Sequence, residues 1–335
     1  MGDFGIYDCK VDSSGLAGEA ICKIGAEALE IKVEKGTLRV DFADLRDFRL
    51  LDYHIILDTA NGKVELSQLG LQTEDFFEKL WQSYADRSRS ALFVEGEALY
   101  TGEGDYAYTE QGMESHGKAK VELHPDCLCL FPHDDKARRI PLCFADEPEA
   151  ADFQISLKLD TGDSYQVSRL GRSFDAVAEK VVLQQQKTMK RWQKAHHELS
   201  AQLMERLGND ADGYRCMEGH GCRMICGLYT PDEEGFWYAG IKNGKAAVEW
   251  VTEEQTATYL YEFQTDDGVF ERSLRHALES SALHREVIFT ELDGKPLYQM
   301  TVQRSYHLRF LRDHFAGRII HNSTWQQRLK EQLIG

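Results

Sequence analysis

The amino-acid sequence predicts a mainly β fold with helices (α+β): two tandem small β-barrels, each closed by a C-terminal helix, and then a third β-rich α+β domain that ends in helices. Three observations predict it. A strand–turn–strand pattern recurs 100 positions downstream. Each copy leads into an amphipathic helical segment. Beyond the second helix, strand signals return. At 335 residues the chain is long enough for two or three domains of about 100–200 residues each. The pattern places a first domain at 14–90, a second with an extended C-terminal helix at 91–207, and a third at 212–335. The third is open to reading as a diverged copy of the first two.

The repeat is seen by direct pairing. Asp52/Asp152, Ile55/Ile155 and Leu57/Leu157 lie 100 positions apart. After the turn the offset becomes 101, at Ser67/Ser168, Leu69/Leu170 and Gly70/Gly171. It continues through Phe76/Val177, Glu78/Glu179, Lys79/Lys180 and Leu80/Val181. One extra residue in the second turn, Asp160-Thr161-Gly162, accounts for the change. Val64 and Leu66 alternate with Lys63 and Glu65, the period of a half-buried strand. Asn61-Gly62 is a strong hairpin signal. Gly70 and Gly171 let the chain turn into the helix. Thr73 is expected to cap the first helix, whose Phe77, Leu80, Trp81 and Tyr84 form one apolar stripe.

Upstream, Glu19–Ile24, Ala28–Val33, Thr37–Phe42 and Phe48–Leu51 read as strands. In the second copy Lys118–Leu123, Cys127–Phe131 and Ile140–Phe144 do. Cys127 and Cys129 alternate with Leu128 and Leu130, as in a strand buried on both faces with cysteine as a small hydrophobe. The succession of strand, NG-type turn, L/V-S-x-L-G segment and helix, at Val64–Leu80 and again at Tyr165–Val181, resembles the pleckstrin-homology-like (PH-like) fold of bacterial proteins with tandem domains of that type. The resemblance covers residues 17–88 and 92–207 and implies a fold more than an activity. Eukaryotic members that bind phosphoinositides use Lys and Arg in the loop between the first two strands. The stretches read here as that loop are Gly25–Ala28 and Tyr100–Lys118, the latter with Glu103, Asp105, Glu110 and Glu114. They are neutral or acidic, so lipid-headgroup binding is not carried over.

Ser173–Leu207 contains neither Pro nor Gly and predicts one long helix. Val182, Met189, His196 and Leu203 fall seven apart, with Trp192 and Leu199 between them. They form a seam for the next domain or for a second copy of the chain. His196 is read as a seam residue, and His197-Glu198-Leu199-Ser200-Ala201 lacks the second His of a zincin motif. Gly208–Gly213 marks a boundary. Strands follow at Arg223–Tyr229, Phe236–Ile241, Ala246–Val251 and Thr256–Gln264, with Asn243-Gly244 as a hairpin turn. Val269–Leu283 predicts a helix, Glu286–Glu291 with Leu297–Val302 a further hairpin, and Tyr306–Phe315 and Thr324–Leu333 two last helices. Asn322 or Ser323 is expected to cap the final one.

Lys and Arg total 39 against 56 Asp and Glu, a net charge of −17. Such a chain is expected to repel nucleic acid and anionic lipid. No apolar run reaches the ~18 residues of a membrane span. The first ten residues carry Asp3 and Asp8 and no apolar core, and Ile6 stands where a myristoylation signal has Ser or Thr. A cytoplasmic location is therefore expected. The eight cysteines, Cys9, Cys22, Cys127, Cys129, Cys143, Cys216, Cys222 and Cys226, are expected to be reduced thiols.

No phosphate-loop, dinucleotide or nucleophile-elbow motif occurs, and no catalytic, cofactor or metal residue is assigned. Gly102-Glu103-Gly104 reads as a turn between strands. Cys216, His220, Cys222 and Cys226 offer three thiols and an imidazole. These could form a tetrahedral zinc site or a redox site, yet no C-x₂-C knuckle is present. The alternation of Cys222, Met224 and Cys226 favours the core of a strand. Asp134-Asp135 beside His133, and Glu233-Glu234 after Pro231-Asp232, read as solvated loops. From Tyr298 onward Arg304, Arg309, Arg312, Arg318, Arg328 and Lys330 oppose Asp313 and Glu331. That charge suits an intramolecular or subunit contact with the acidic barrels, an acidic partner protein, or a lipid surface or nucleic acid, either of which the rest of the chain would oppose. The leading expectation is a soluble intracellular interaction or scaffold module for an unidentified protein partner, not an enzyme, able to self-associate through the long helix. A metal-dependent protein or enzyme centred on Cys216–Cys226 is the second reading. A lipid-surface adaptor using the basic C-terminal helices is the third.

Overall fold

Residues 5–94, 96–133, 135–197, 212–228, 236–251, 256–281, 285–289 and 291–333 are described by a computed structural model of the chain. It divides into two compact units. The first holds Met1–Ile140, Asp146–Val182 and Leu292–Arg304; the second holds Pro141–Ala145, Leu183–Glu291 and Ser305–Gly335. The architecture is mainly β with several helices.

The first unit contains two seven-stranded antiparallel sheets. Strands β1 (Ile6–Ser13), β2 (Ala17–Ile24), β3 (Ala28–Val33), β4 (Gly36–Asp41), β5 (Leu45–Leu51), β6 (His54–Thr59) and β7 (Gly62–Ser67) lie in the order β4-β3-β2-β1-β7-β6-β5. Strands β8 (Tyr100–Glu110), β9 (Met113–Leu123), β10 (Cys127–Pro132), β11 (Arg138–Pro141), β12 (Glu149–Ala151), β13 (Gln154–Lys158) and β14 (Ser164–Ser168) repeat it, as β11-β10-β9-β8-β14-β13-β12. The ladders keep the offsets read from the sequence. Ile55 pairs with Leu66 and Leu57 with Val64; Ile155 pairs with Val167 and Leu157 with Tyr165. Left-handed backbone recurs at the same places, at Asp52, Tyr53, Gln68 and Gly70 and at Asp152, Phe153, Arg169 and Gly171. Each sheet then runs through one 3₁₀ turn into a helix, α1 (Thr73–Ala91) or α2 (Phe174–His197).

Helix α1 buries Phe76, Leu80, Trp81, Tyr84 and Ala85 on the first sheet. Its flank meets β10, where Trp81 Nε1 donates to the Pro132 carbonyl at 3.2 Å. Cys127, Cys129 and Phe131 thereby join the core of the first sheet, which is why β10 is buried on both faces. Thr73 does not cap α1 by accepting from it; its hydroxyl donates back to the Gly70 carbonyl at 2.8 Å. A later segment, α6 (Pro296–Arg304), packs on α1: Met300 enters the same core and Thr301 Oγ1 donates to the Ala91 carbonyl at 2.6 Å.

Several local expectations are corrected. Strand β1 went unread, although Tyr7, Cys9 and Val11 alternate with Asp8 and Lys10 as in a half-buried strand, because it lies ahead of the expected domain start at residue 14. Gly25–Ala28 therefore leads into the third strand, and the first loop is Ser14-Gly15-Leu16. Tyr100–Lys118 is no loop but most of the β8–β9 hairpin, turning at Gln111-Gly112. Gly102 and Gly104 lie inside β8. A Cβ on Gly104 would stand 2.8 Å from the Ser168 carbonyl and 3.0 Å from Leu170 Cδ2, so glycine permits the close approach of β8 to the end of β14.

In the second unit β15 (Arg223–Leu228), β16 (Phe236–Lys242), β17 (Lys245–Val251), β18 (Thr256–Glu262) and β19 (Phe315–Ile320) form an antiparallel meander in sequence order. Strand number and order differ from those of the first two sheets. One face packs on α3 (Asp212–Gly219) and α8 (Trp325–Leu333) through Met217, Tyr238, Leu260, Ile319 and Leu329. The other turns Trp237, Trp250, Tyr259 and Tyr261 toward α4 (Asp267–Ser280), α5 (Arg285–Phe289) and α7 (Tyr306–Asp313), with Phe289 stacked on Tyr259 at 3.7 Å and Phe270 5.2 Å from Tyr261. The expected hairpin of Glu286–Glu291 and Leu297–Val302 is replaced by helices α5 and α6, since apolar runs this short do not distinguish the two periods. Strand β19 lies where the helix Tyr306–Phe315 was expected to end. Asn322 Oδ1 accepts from Thr324 N–H at 3.0 Å, just ahead of α8.

The long-helix seam is only partly within the described residues. Leu199, Leu203 and the side chain of His196 lie outside them. Along α2 the buried side chains run through Val181, Gln185 and Thr188, while Val182 and Met189 are half-buried. Gln185 Nε2 donates to the Ala145 carbonyl at 2.8 Å, and Trp192 meets Phe144 edge-on at 4.7 Å.

Candidate functional site

The β5–β6 and β12–β13 hairpins end in two-residue turns, Asp52-Tyr53 and Asp152-Phe153. All four residues have positive φ, between 48° and 63°. Positive φ at both turn positions is the type I′ geometry, which fits the right-handed twist of the strands and normally calls for Asn-Gly or Asp-Gly. Both turns open with Asp, then place an aromatic residue where glycine would be unstrained. Left-handed backbone costs an L-residue about 1–2 kcal/mol. The rings gain little burial in exchange: Tyr53 is 71% exposed and Phe153 73%. Leu51, 60% exposed, and Leu71, fully exposed, flank the first turn. The pairing of Ile55 with Leu66 brings the residues after β7 to the same end of the sheet as Tyr53. In the second copy Ala150 and Ala151 are exposed, and Phe153 has the Phe174 ring 5.6 Å away. Strained, outward-held aromatics thus stand at equivalent positions of the two copies.

Two buried glutamates were not singled out from the sequence. Glu122, in β9, receives two hydrogen bonds from Arg89, Nε to Oε2 at 3.0 Å and Nη2 to Oε1 at 2.7 Å. Lys120 Nζ lies at 3.0 Å and buried His124 at 3.3 Å. Burial alone would raise its pKa; the hydrogen bonds from His124, Arg89 and Lys120 overcome it and hold the carboxyl well below the usual range. Glu249, in β17, is equally buried but has no comparable cation. Thr258 Oγ1 donates to its Oε2 at 3.0 Å and also contacts His321 Nε2 at 2.8 Å. His321 stacks on Trp325 at 3.9 Å. Burial pushes Glu249 up to about 7, with the Tyr238 and Thr258 hydroxyls offsetting part of the rise. The sequence carried a signal for it: Glu249 is the one charged residue in Ala246–Val251, at a position between inward-facing Ala247 and Val251. Thr258 and Glu249 have almost no exposed surface, so this network is closed to a substrate.

Cys216 lies in α3, His220 in the turn after it, Cys222 just before β15 and Cys226 within β15. Cys222 is buried; Cys216, Met224 and Cys226 pack against the same core half-buried. His220 is exposed, and its Nδ1 donates to the Cys216 carbonyl at 2.6 Å. Burial raises the pKa of all three thiols, the opposite of what a nucleophile or metal ligand requires. Among the described residues no three His, Cys, Asp or Glu side chains converge as ligands for a metal ion. Of the C-terminal cations, Arg304 donates to the Met300 carbonyl and the Tyr84 hydroxyl. Arg312 donates to the Val287 carbonyl at 2.9 Å, and Arg318 lies over the Tyr259 ring. Carbonyls, a hydroxyl and a ring are thus among the partners of these three cations. Asp135 accepts hydrogen bonds from Tyr108 and Ser115; Asp134, Glu233 and Glu234 lie outside the described residues. Among those residues no helix is long and apolar enough to cross a membrane.

No protein-family model matches the sequence, and no curated protein does. Among solved structures the chain is similar to one titled "Structure of the Spt16D Pob3N heterodimer", with 15% identity over 54% of this chain and 93% of that chain and a TM-score of 0.21.

Proposed function

We propose that the protein is an intracellular protein-interaction scaffold built on two PH-like units, each using the tip of its fifth-to-sixth-strand hairpin as a contact point. The observation that carries this reading is the recurrence of a strained, exposed aromatic at Tyr53 and Phe153, 100 positions apart. The seven-strand order followed by one helix, present twice, supports the PH-like reading. The first loops of the two sheets, Ser14-Gly15-Leu16 and Gln111-Gly112, contain no Lys or Arg. A protein surface is therefore a better partner than a phosphorylated lipid headgroup.

The test uses the Tyr53→Gly/Phe153→Gly double variant. Glycine is unstrained at these φ values, so the variant keeps the turns while losing both rings. Affinity capture from native cytosol, compared between the natural chain and the variant, is expected to retain a discrete protein set only with the natural chain. Equal capture by a folded variant refutes the role of the tips.

A further inference from the structure

The first sheet holds two thiols in direct contact. Cys9 on β1 and Cys22 on β2 point to the same buried face, with Sγ atoms 3.1 Å apart. Cys9 lies opposite Ala20 and Cys22 opposite Tyr7, so the two are diagonal neighbours across one ladder. The second sheet shows that the fold does not require them. Lys10 pairs with Ser67, and Asp105 with Ser168. Cys9 therefore corresponds to Gly104, which faces Ala119 as Cys9 faces Ala20. By the same register Cys22 corresponds to Val121. Glycine and valine complete the second core where the first has two sulfurs.

We propose that Cys9 and Cys22 are a redox-closable thiol pair, which a peroxide joins into a disulfide tying β1 to β2. A thiolate of the pair attacks the peroxide O–O bond, giving a sulfenic acid and releasing hydroxide, which is protonated to water. The second thiolate then attacks the sulfenic sulfur, forming the S–S bond and expelling the second oxygen as water. Per hydrogen peroxide, two thiols give up two electrons and two protons, and two waters leave. Either thiol can donate to the other across this contact, so whichever loses its proton is held as a thiolate by its neighbour's S–H. The S–S bond of about 2.05 Å needs the sulfurs to close by about 1 Å. Both thiols are shielded from solvent, Cys9 at 2% and Cys22 at 0% exposure, and β1 is a central strand paired with β2 and β7, so the reaction proceeds through brief local opening of the β1–β2 ladder and favours a small oxidant. Cys127 and Cys129, 3.7 Å apart, serve as an internal comparison: two residues apart on one extended strand, they cannot adopt disulfide geometry without breaking the strand.

Trypsin separates the pair. Cys9 falls in peptide 1–10 and Cys22 in peptide 11–23, each with a single cysteine. The full chain is exposed to graded hydrogen peroxide, alkylated under denaturing conditions and mapped by mass spectrometry. The expected product is a cross-link of these two peptides, 2 Da below their summed mass, accumulating before any other cysteine pair and disappearing on reduction. Cys22→Val, which places the second sheet's residue at this position and is expected to fold, should yield no such product. The proposal is overturned if both peptides are recovered singly alkylated at doses that have already oxidised Cys216 or Cys226. It is equally overturned if a Cys127–Cys129 bridge forms first.

Discussion

Glu122 in the first unit and Glu249 in the second are both buried carboxyl groups on β-strands, yet their surroundings give them opposite behaviour. Glu122 is met by Arg89, Lys120 and His124 and stays ionised. Glu249 is met by hydroxyls and a half-buried imidazole and retains its proton up to about pH 7. Burial acts on both in the same direction; the difference lies in whether a neighbouring strand or helix brings a cation. The comparison also shows why a carboxylate inside a sheet is not by itself a sign of chemistry.

The largest effect is expected from breaking the Glu122 network. Glu122→Leu leaves Arg89 and Lys120 facing an apolar site, and removing one partner of a buried pair costs about 3–5 kcal/mol. Glu249→Leu removes a carboxyl that is neutral for much of the pH range and is expected to cost less. Urea unfolding, with hydrogen exchange assigning the loss to each unit, measures both. An equal loss for the two variants would end the contrast.

The next effect is a pH dependence of opposite sign. Glu122 has a folded pKa below its ordinary value, so its contribution is full above the ordinary carboxylate range and is lost on acidification. Glu249 has a folded pKa raised from 4.5 to about 7. Its favourable state is full below pH 4.5 and is lost as pH rises to about 7, at a cost of about 3 kcal/mol. His307, whose pKa burial lowers well below 6.5, acts the other way in the same unit and weakens it as pH falls through that value. Subtraction isolates Glu249: the stability of Glu249→Gln relative to the natural chain should rise by about 3 kcal/mol between pH 4.5 and 8. A flat difference would mean that the carboxyl titrates normally.

These glutamates also mark the limit of what the sequence discloses. Ladder register was legible, because Ile55, Leu57, Leu66 and their counterparts repeat with a constant offset and alternate with polar residues. The shift from 100 to 101 fell at the lengthened turn. Strand β1 was legible too, since Tyr7, Cys9 and Val11 alternate with Asp8, Lys10 and Asp12 as in any half-buried strand, but it lies ahead of residue 14, the expected start of the first domain. Helices α5 and α6 were read as strands because five to nine residues sample too few turns to establish a period. The turn aromatics lay within the aligned segment, but Asp-Tyr and Asp-Phe are not turn signals, and only the left-handed backbone reveals them. Long-range pairing, such as Arg89 with Glu122, leaves no local mark at all.

A third effect separates the two sheets. Gly104→Ala places a methyl group 2.8 Å from a backbone carbonyl, and overpacking of this kind costs about 1–3 kcal/mol. The first sheet carries Cys9 at the corresponding position, so its strands already leave room for a side chain. Cys9→Ala is expected to remain folded with both ladders intact, whereas Gly104→Ala should raise hydrogen exchange along β8 and β14. If Gly104→Ala is neutral, the second sheet is as open at this point as the first.

The smallest effect concerns the hairpin tips and has the opposite sign. Replacing Tyr53 by glycine relieves about 1–2 kcal/mol of left-handed strain and adds about 0.5–1 kcal/mol of unfolded-chain entropy. The net expectation is a gain of about 0.5–1 kcal/mol, since a ring 71% exposed has little packing to lose. Phe153→Gly relieves the same strain but also loses the ring contact with Phe174, so its gain should be smaller or absent. Tyr53→Ala separates strain from ring loss, because alanine keeps the left-handed penalty and should show no gain. Thermal melting of the three variants therefore ranks Tyr53→Gly above Phe153→Gly, with Tyr53→Ala at or below the natural chain. If Tyr53→Gly is instead destabilising, the tyrosine supports its own fold and its exposure needs no partner to explain it. If the gain appears, the natural chain forgoes stability at an exposed tip, as expected where a residue is kept for a contact outside the chain.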